Sequence, residues 1–324
     1  MQVSTPSAQD STGSVHDSTG SMQGGPAPLV PLVVGIDVGG TKTHLRACSG
    51  TDVVVDTVRP STGWRPHDPG EAAEWLAGLL REALPGDARP ASVAVGAHGC
   101  ESPRQGALLE QALGAHLDAP RRIVNDAELL VPALGLKQGV GLVAGTGSVA
   151  VGHLADGTLV QVGGWGAVLG DEGSSAGIVR EAARAVCAAH DRGDPPDPLA
   201  RQLLAAFGVG EVPAIGAALE SASDVSADWG RHADAVFSAA AAGSGLAHDV
   251  IAAGGQALAA LVTRLADRGA AVNDVVVAGG VILNQAALYS ALDDALGREL
   301  PGTRLHPLRV PPVEGAVELA RALL

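Results

Sequence analysis

The chain has 324 residues, 46% of them hydrophobic, and 21 Lys and Arg against 35 Asp and Glu give a formal net charge of −14. This apolar content excludes a largely disordered chain, and the length is typical of about two domains of roughly 100–200 residues each. The acidic balance argues against a nucleic-acid partner, which requires a basic face. Cys48, Cys100 and Cys187 form no CxxC pair, so a disulfide-stapled secreted domain is not expected. Since no charge-free run of about 18 apolar residues occurs, we expect a cytoplasmic protein with no membrane partner.

The predicted elements begin after a polar segment. Residues 1–28 are rich in Ser, Thr, Gly and Gln, which predicts a disordered tail and not a targeting segment. From Leu29, a buried strand (LVPLVVGID), a glycine turn, a returning strand (THLRACSG) and a third strand (TDVVVDTV) predict a meander. A helix at about 70–84, the strand ASVAVGAHG, a helix at about 103–117 and the strand RRIVND follow in that order.

The same meander occurs a second time. GVGLVAG, a TGS turn, VAVGHLAD and TLVQVGG predict three more strands, and Ala-rich helices are predicted over much of 174–267. The strand VNDVVVAGG, the helix ILNQAALYSALDDAL, the strand TRLHPL and the helix EGAVELARALL complete the chain. Two copies of one strand–turn–strand design predict two α/β domains with a cleft between them.

The first glycine turn carries the sharpest local signal. Gly35, Gly39 and Gly40 lack the Cβ atoms that would keep an anion from backbone N–H groups. The spacing does not fit a Walker A loop, and a strand follows where a dinucleotide fingerprint needs a helix. A plain hairpin turn stays possible. The residues predicted to bind a phosphate here are Asp37, Gly39, Gly40, Thr41, Lys42 and Thr43, with Asp37 also a candidate Mg²⁺ ligand.

Two further glycine turns follow buried strands. The second occupies the position in its meander that the first turn occupies in the other, and alone it fits a simple turn equally well. In the third, glycines would let a flat ligand such as adenine approach the backbone, while Asn284 would either contact that ligand or cap the following helix. The predicted ligand contacts are Gly145, Thr146, Gly147 and Ser148 in the second turn and Gly279, Gly280 and Asn284 in the third.

Carboxylates at two helix starts are candidates for chemistry. Asp126 follows a buried strand and opens a helix, where it fits either a helix cap or a functional carboxylate. Asp171 and Glu172 precede a long helix, whose dipole favours negative charge even without a ligand. Trp165, a few residues earlier, fits either the core or an apolar wall beside a ligand.

The order IDVGGTKT, VND, GTGS, GGWGAVLGDEGS and AGGVILN resembles the N-acetylglucosamine kinase branch of the sugar kinase, actin and heat-shock chaperone superfamily, over about residues 31–324. That branch also includes ATPases that activate benzoyl-CoA-type reductases. The resemblance implies two RNase-H-like (actin-like ATPase) domains. The N-terminal domain comprises residues 29–134 and 312–324, and the C-terminal domain comprises residues 135–311. It also implies ATP with Mg²⁺, phosphoryl transfer to an amino sugar such as N-acetylglucosamine, and a homodimer.

The resemblance also implies roles for particular residues. Asp126 would be the general base that accepts the proton of the sugar hydroxyl. The sugar contacts would be Thr62, Gly63, Trp64, Asn125, Asp126, Gly164, Trp165, Asp171 and Glu172. The family commonly has an Asn where Gly63 stands, so glucosamine, a muramic-type sugar or another hexose is an alternative substrate. Arg65 beside it is either a partner for a substrate carboxylate or a solvated loop residue.

Two other functions stay open. The reductase-activating ATPases use cysteine-bound iron–sulfur clusters, for which the three separated cysteines are poorly spaced. The second open function is that of a sugar or nucleotide sensor without catalytic activity. The presence of Asp37, Asp126 and two Gly/Thr turns argues against it.

Overall fold

The two predicted meanders belong to two separate five-stranded sheets. A computed structural model describes residues 30–324, so the predicted tail at 1–28 lies outside the described residues. The first sheet and its helices comprise β1 (Leu32–Val38), β2 (Lys42–Ser49), β3 (Asp52–Pro60), α1 (Pro69–Ala83), β4 (Ser92–Ala97), α2 (Pro103–Leu113) and β5 (Arg121–Asn125). The strand order is β3-β2-β1-β4-β5, antiparallel in the meander and parallel from β1 through β4 to β5.

A short connection leads from the first sheet to the second. It consists of the 3₁₀ turn Asp126–Leu129 and helix α3 (Leu130–Ala133). The second sheet contains β6 (Val140–Ala144), β7 (Ser148–His153), β8 (Leu159–Gly163), β9 (Asp274–Ala278) and β10 (Arg304–Pro307). Its order, β8-β7-β6-β9-β10, repeats that of the first sheet. The predicted α/β fold, with two RNase-H-like domains and a cleft between them, is confirmed.

Helices fill the connections of the second sheet. They are α4 (Gly166–Leu169), α5 (Ser175–Asp191), α6 (Pro198–Phe207), α7 (Ile215–Glu220), α8 (Val225–Gly230), α9 (Ala233–Ala241), α10 (Gly245–Asp267), α11 (Gly280–Asn284) and α12 (Ala286–Glu299). The last two were expected as one helix. They separate at Gln285, which has the extended backbone angles φ −112 and ψ 90.

Helix α10 is the central core helix of the second domain. Leu258, Ala259 and Val262 are fully buried on it, against both the sheet and neighbouring helices. In the part of the chain that the structure describes, α10 and the bent pair Pro198–Phe207 with Val212–Glu220 have the length and hydropathy of a membrane span. Their apolar residues pack within the domain core, which accounts for the hydropathy of both.

The closing helix α13 (Val313–Arg321) returns to the first sheet, as expected. Val317 and Ala320 pack with Val33 and Ala94 in one buried cluster. A Cβ at Gly35 would lie 2.5 Å from the Val317 backbone nitrogen. Gly35 is therefore a packing glycine for α13, and the expectation that it opens the backbone to an anion is wrong.

Candidate active site

Polar residues from three neighbouring parallel strands gather at one sheet edge. Asp37 lies beside Gly96 in the register of β1 and β4, and Ala97 lies beside Asn125 in that of β4 and β5. Because the carboxyl ends of parallel strands share an edge, Asp37, His98 and Asp126 come together there. The first glycine turn, which leaves β1 at this edge, belongs to the same group.

Asp37 is an unusual carboxylate. Burial raises its pKa to about 7, the negative charge of Asp126 adds to the rise, and Lys42 opposes it. Two carboxylates close enough to repel each other favour a cation between or beside them. The exposed Lys42 supplies part of this positive charge.

The first turn is fastened by a hydroxyl that the sequence did not single out for this role. The Ser61 hydroxyl donates to the Gly39 carbonyl oxygen at 2.7 Å, and its oxygen lies 2.9 Å from that of Thr43. Thr43 is buried, so its hydroxyl faces inward and differs in position from the phosphate contact expected of it. Thr41 and Lys42 are exposed and remain available to a ligand.

Gly40 is a glycine that the fold itself does not require. Its φ lies outside the left-handed region, and a Cβ there would make only an ordinary 3.5 Å contact with Nε2 of His98. At Gly39 a Cβ would make a tight contact of 3.1 Å with the Lys42 carbonyl oxygen. An exposed turn with one free glycine is the geometry in which an anion reaches backbone N–H groups.

Asp126 opens the 3₁₀ turn, but Asn125 caps it. The Asn125 Oδ1 accepts from Ala127 N at 2.9 Å, and Glu128 Oε1 accepts from Asn125 N at 2.8 Å, which together form a capping box. Asn125 Nδ2 also donates to the Cys100 carbonyl oxygen at 3.2 Å. Asn125 is only 4% exposed, so its expected contact with a sugar is not consistent with this placement.

The carboxylate of Asp126 is left open to the cleft. Its Oδ1 accepts from Ala127 N at 3.0 Å, and its Oδ2 lies 3.4 Å from Nδ1 of His98. The side chain is 32% exposed, enough for a ligand to reach it. The interaction with Asp126 raises the pKa of His98 above its ordinary value.

The 3₁₀ turn lies where the two sheets meet, and α3, which follows it, also contacts β6 and β9 of the second sheet. The turn itself contacts β1 and β4 of the first sheet and β6 and β7 of the second. A Cβ at Gly141 of β6 would lie 2.5 Å from the Ala127 carbonyl oxygen. Glu128 Oε2 lies 2.9 Å from His153 Nε2 of β7, so a hydrogen bond crosses between the domains two residues from Asp126. Asp126 therefore lies between the two sheets.

The second turn is fastened by a buried carboxylate. Asp171 is 6% exposed, has a left-handed φ of 58°, and accepts from Ser148 N at 3.2 Å through Oδ1. Burial raises its pKa, and the Ser148 N–H opposes the rise. The Ser148 hydroxyl donates to the Glu172 carbonyl oxygen at 2.9 Å. Both side chains thus stabilise the turn, in contrast to the ligand contacts expected of them.

The third turn lies against the second because β6 and β9 are parallel neighbours. Gly279 has a φ of 115°, and a Cβ there would overlap the Ala144 carbonyl oxygen. Gly145 and Gly280, by contrast, have room for a Cβ. Asn284 is exposed and ends α11, while Gln285 precedes α12, so the alternative in which Asn284 caps the next helix is wrong.

The loop after β3 packs on the loop that carries His98. Trp64 Nε1 donates to the His98 carbonyl oxygen at 3.0 Å, and Trp75 Nε1 donates to that of Thr62 at 3.1 Å. The two Trp rings meet edge-on with centroids 5.5 Å apart. Gly63 has a left-handed φ of 88°, a conformation that Asn tolerates better than most residues. Arg65 pairs with Glu71 at 3.0 Å on the surface.

The segment after β8 presents apolar side chains to solvent. Trp165 is 74% exposed and Leu169 is 81% exposed, so the alternative that Trp165 is a core residue is wrong. Gly164, just before it, is also exposed. Ser174, not Asp171 or Glu172, caps α5 by accepting from Gly177 N. Glu172 is exposed and within reach of a ligand, and its Oε1 lies 4.0 Å from a guanidinium nitrogen of Arg180.

Three residues important to this arrangement were missed by sequence reasoning. Ser61 fastens the first turn, and His98 faces Asp126. Arg180 of α5 donates to the carbonyl oxygens of Ala167 and Gly170 and so holds α4 in place. Only His98 carried a usable signal, a polar side chain directly after a fully buried strand. The other two contacts depend on tertiary packing.

The two sheets and their glycine turns on both sides of a cleft are those of an actin-like ATPase fold. The chain belongs to the BadF/BadG/BcrA/BcrD ATPase family, whose model matches residues 34–320. N-acetylmuramic acid/N-acetylglucosamine kinase of Clostridium acetobutylicum is 27% identical over 167 residues, which are 49% of this chain and 55% of the relative. The chain therefore matches about half the length of that curated relative.

Solved structures show the same fold. A proposed N-acetylglucosamine kinase from Chromobacterium violaceum superposes with a TM-score of 0.67 at 24% identity, covering 90% of this chain and 99% of that one. A ROK family glucokinase from Streptomyces griseus, in complex with glucose and AMPPNP, gives a TM-score of 0.51 at 18% identity, covering 90% and 98%. At these identities the likeness establishes the fold.

The site offers one carboxylate suited to a metal that a nucleotide brings with it. Within residues 30–324 there is no group of three or more His, Cys, Asp or Glu side chains able to hold a metal ion. Mg²⁺ bound to phosphates needs only one or two protein carboxylates and otherwise keeps its water. Asp37 fits this requirement because its charge is disfavoured by burial and by Asp126 unless a cation is near.

Proposed function

We propose that the protein is an ATP-dependent kinase that transfers the γ-phosphoryl group to a hydroxyl of an amino sugar. The observation that carries this proposal is the partly exposed Asp126 carboxylate, which lies where the two sheets meet and beside the edge that bears the first glycine turn. The kinase relative from Clostridium acetobutylicum supports the same reaction.

The proposed reaction needs positioning more than covalent chemistry. The sugar hydroxyl oxygen attacks the γ-phosphorus, the bond to the β–γ bridging oxygen breaks, and ADP leaves. The hydroxyl proton passes to Asp126, the general base. Backbone N–H groups at Gly40 and in the second turn, together with Lys42, would hold the phosphates from both domains, although the Gly145 N–H itself donates to the Gly147 carbonyl oxygen at 2.9 Å. Asp37 would hold Mg²⁺, which when bound neutralises charge on the phosphates.

The proposed sugar is N-acetylglucosamine, with an N-acetylmuramic acid type sugar as the nearest alternative. The C. acetobutylicum relative is named for both. Glu172, exposed near the second turn, is the proposed acceptor for sugar hydroxyls, and Trp165 is the proposed apolar wall. Gly63 lacks the amide that the family commonly has there, so the sugar loses one hydroxyl partner on that side.

An ATPase that activates a reductase is less well supported. Such a role requires cysteine ligands for an iron–sulfur cluster. Cys48 and Cys100 are buried, and burial raises the pKa of Cys100 to about 11, which disfavours the thiolate that binds a metal.

Three finer points belong to the same proposal. We infer domain boundaries at 134/135 and 311/312, supported by the two sheets and by α13, which packs on the first one. A cytoplasmic location agrees with a cytosolic nucleotide as cofactor. A homodimer is inferred from the family resemblance alone.

The experiment is ADP release measured with ATP, Mg²⁺ and a panel of N-acetylglucosamine, N-acetylmuramic acid, glucosamine and glucose. We expect sugar-dependent ADP release, highest with an N-acetylated sugar. Asp126→Asn should reduce kcat by about 10²-fold or more, while ATP binding measured by calorimetry stays within about twofold. Full turnover by Asp126→Asn would refute the assignment of the base. ADP release that no sugar stimulates would refute the kinase.

A further inference from the structure

We propose that His98 is the positioning residue for Asp126, holding the carboxylate through a hydrogen bond from Nδ1 in the orientation that accepts the sugar proton. This inference rests on the proposed function and adds a residue that the sequence motifs do not indicate. It follows from the position of one imidazole ring between the first glycine turn and Asp126.

The two oxygens of Asp126 have different surroundings. Oδ1 accepts from Ala127 N at 3.0 Å, which fixes one side of the carboxylate to the 3₁₀ turn. Oδ2 lies 3.4 Å from His98 Nδ1, slightly longer than a good hydrogen bond. Such contacts shorten when substrate closes a site. A carboxylate has about four acceptor positions, so both contacts leave room for a sugar hydroxyl.

The backbone of His98 is held from two sides. His98 N donates to the Val38 carbonyl oxygen at 2.8 Å, which ties the residue to the end of β1. Its own carbonyl oxygen accepts from Trp64 Nε1 at 3.0 Å. Gly99 follows with a left-handed φ of 84°, and a Cβ there would lie 2.6 Å from Pro66. The ring is therefore carried by a rigid frame, although its side chain is 54% exposed.

The other ring nitrogen has a different neighbour. Nε2 would lie 3.5 Å from a Cβ at Gly40, so this atom faces the turn proposed to hold phosphates. A rival role therefore exists, in which Nε2 contacts a phosphate and Asp126 is oriented without His98. Replacements that keep one nitrogen position each can separate the two roles.

Three substitutions make the test. Asn places its amide nitrogen near the position of Nδ1, Gln places its amide near Nε2, and Ala removes both. We expect His98→Ala and His98→Gln to lower kcat by about tenfold or more, with KM for ATP and for the sugar within about threefold. His98→Asn should restore kcat to within about threefold of the wild type. Because the ring is half exposed, all three variants should melt close to the wild type.

Each other pattern of kinetics overturns the proposal. Rescue by Gln instead of Asn, or a rise in KM for ATP with unchanged kcat, would assign His98 to the phosphate. Equal activity of all three variants and the wild type would show that Asp126 needs no help from His98.

A spectroscopic measurement keeps this test independent of the kinase activity. Ring ¹⁵N shifts of neutral His98, assigned by their absence in His98→Asn, should show the proton on Nδ1 in the wild type. In Asp126→Asn that proton should move largely to Nε2. If no sugar is phosphorylated but this tautomer is found, the proposed function fails while the His98–Asp126 contact stands. If the wild type carries the proton on Nε2, the positioning role is refuted.

Discussion

The first and second glycine turns occupy the same place in their sheets but are held in different ways. Ser61, a neutral hydroxyl, fastens the first turn, and Asp37 and Lys42 stand beside it. A buried carboxylate, Asp171, fastens the second turn, which has no lysine. The charged groups suited to chemistry are thus in the first domain. The second turn has no charged donor, and it offers only its backbone and the exposed Thr146 hydroxyl to the proposed phosphate site.

This difference separates two kinds of glycine within the turns. At Gly147 and Gly279 a Cβ would collide with Asp171 and with Ala144, so the fold requires glycine. At Gly40 and Gly145 the fold has room for a Cβ, so packing does not require glycine there, whereas the proposed phosphate would. Substitutions at the two kinds should therefore damage different properties.

The largest effect is expected from the neighbouring pair Gly279 and Gly280. Gly279→Ala combines a left-handed φ of 115° with overlap on the Ala144 carbonyl, so it should lower the free energy of unfolding by about 2–4 kcal/mol. Gly280→Ala meets no atom within 4 Å and should change it by less than about 0.5 kcal/mol. Urea unfolding of both variants measures the contrast. Equal stabilities would show that the two kinds of glycine are not distinct.

A smaller loss of stability is expected when the fastening side chains are removed. Asp171→Ala leaves the buried Ser148 N–H unpaired and should cost about 1–3 kcal/mol. Ser61→Ala removes a neutral hydrogen bond and should cost about 1 kcal/mol. Asp171→Asn, which keeps an acceptor and tolerates the left-handed backbone, is the matched control. If Asp171→Ala is as stable as Asp171→Asn, Asp171 does not fasten the second turn.

Ligand affinity, and not stability, should respond at the free glycines. Gly40→Ala and Gly145→Ala should each weaken ATP binding about tenfold, or about 1.4 kcal/mol, because the added methyl group keeps a phosphate away from the backbone of the turn. Calorimetric titration of ATP measures this, and the melting temperature should stay unchanged. Gly297→Ala, on exposed α12 with no atom within 4 Å, is the neutral control. Unchanged ATP affinity in both turn variants would contradict the two-sided phosphate site.

The smallest effect concerns the end of β9 remote from the third turn. The hydrogen bond from Arg304 lowers the pKa of Asp274 to about 2, and His306 adds to the effect. Because the folded pKa lies below the unfolded one, the stabilisation is complete above about pH 4 and is lost as the pH falls toward 2. The stability difference between wild type and Asp274→Asn should therefore shrink between pH 6 and pH 3, and in high salt. A difference that grows on acidification, or any change in ATP affinity, would be contrary to this account.

The sequence predicted the sheets well because their signals are local. Buried runs such as LVVGIDV and alternating partners such as KTHLRACS specify strands through their own periodicity, and the repeat of the meander indicates the repeat of the fold. The break at Gln285 was missed because nothing in the surrounding residues is a strong helix breaker. The Gln285 side chain donates to Asp234 of α9 at 3.2 Å, a tertiary contact that no local pattern indicates.

The site was predicted in outline and not in detail. Motif order located Asp37, Asp126 and the three turns on the chain. It could not tell an exposed carboxylate from a buried one, so Asp171 and Glu172 were given the same role although only Glu172 is exposed. Motif order also could not show that Asn125, Thr43 and Ser148 use their side chains in hydrogen bonds within the protein. Which polar atoms already have partners is a property of contacts between distant segments.

The central claim is phosphoryl transfer to a sugar at Asp126. The most direct measurement is ³¹P NMR of ATP, Mg²⁺ and N-acetylglucosamine with the wild type and with Asp126→Asn. The account predicts equal amounts of ADP and a sugar phosphate monoester for the wild type, and a rate of monoester formation lower by about 10²-fold or more for the variant. ADP with inorganic phosphate and no sugar phosphate, or the same monoester formed by Asp126→Asn at the wild-type rate, would contradict it.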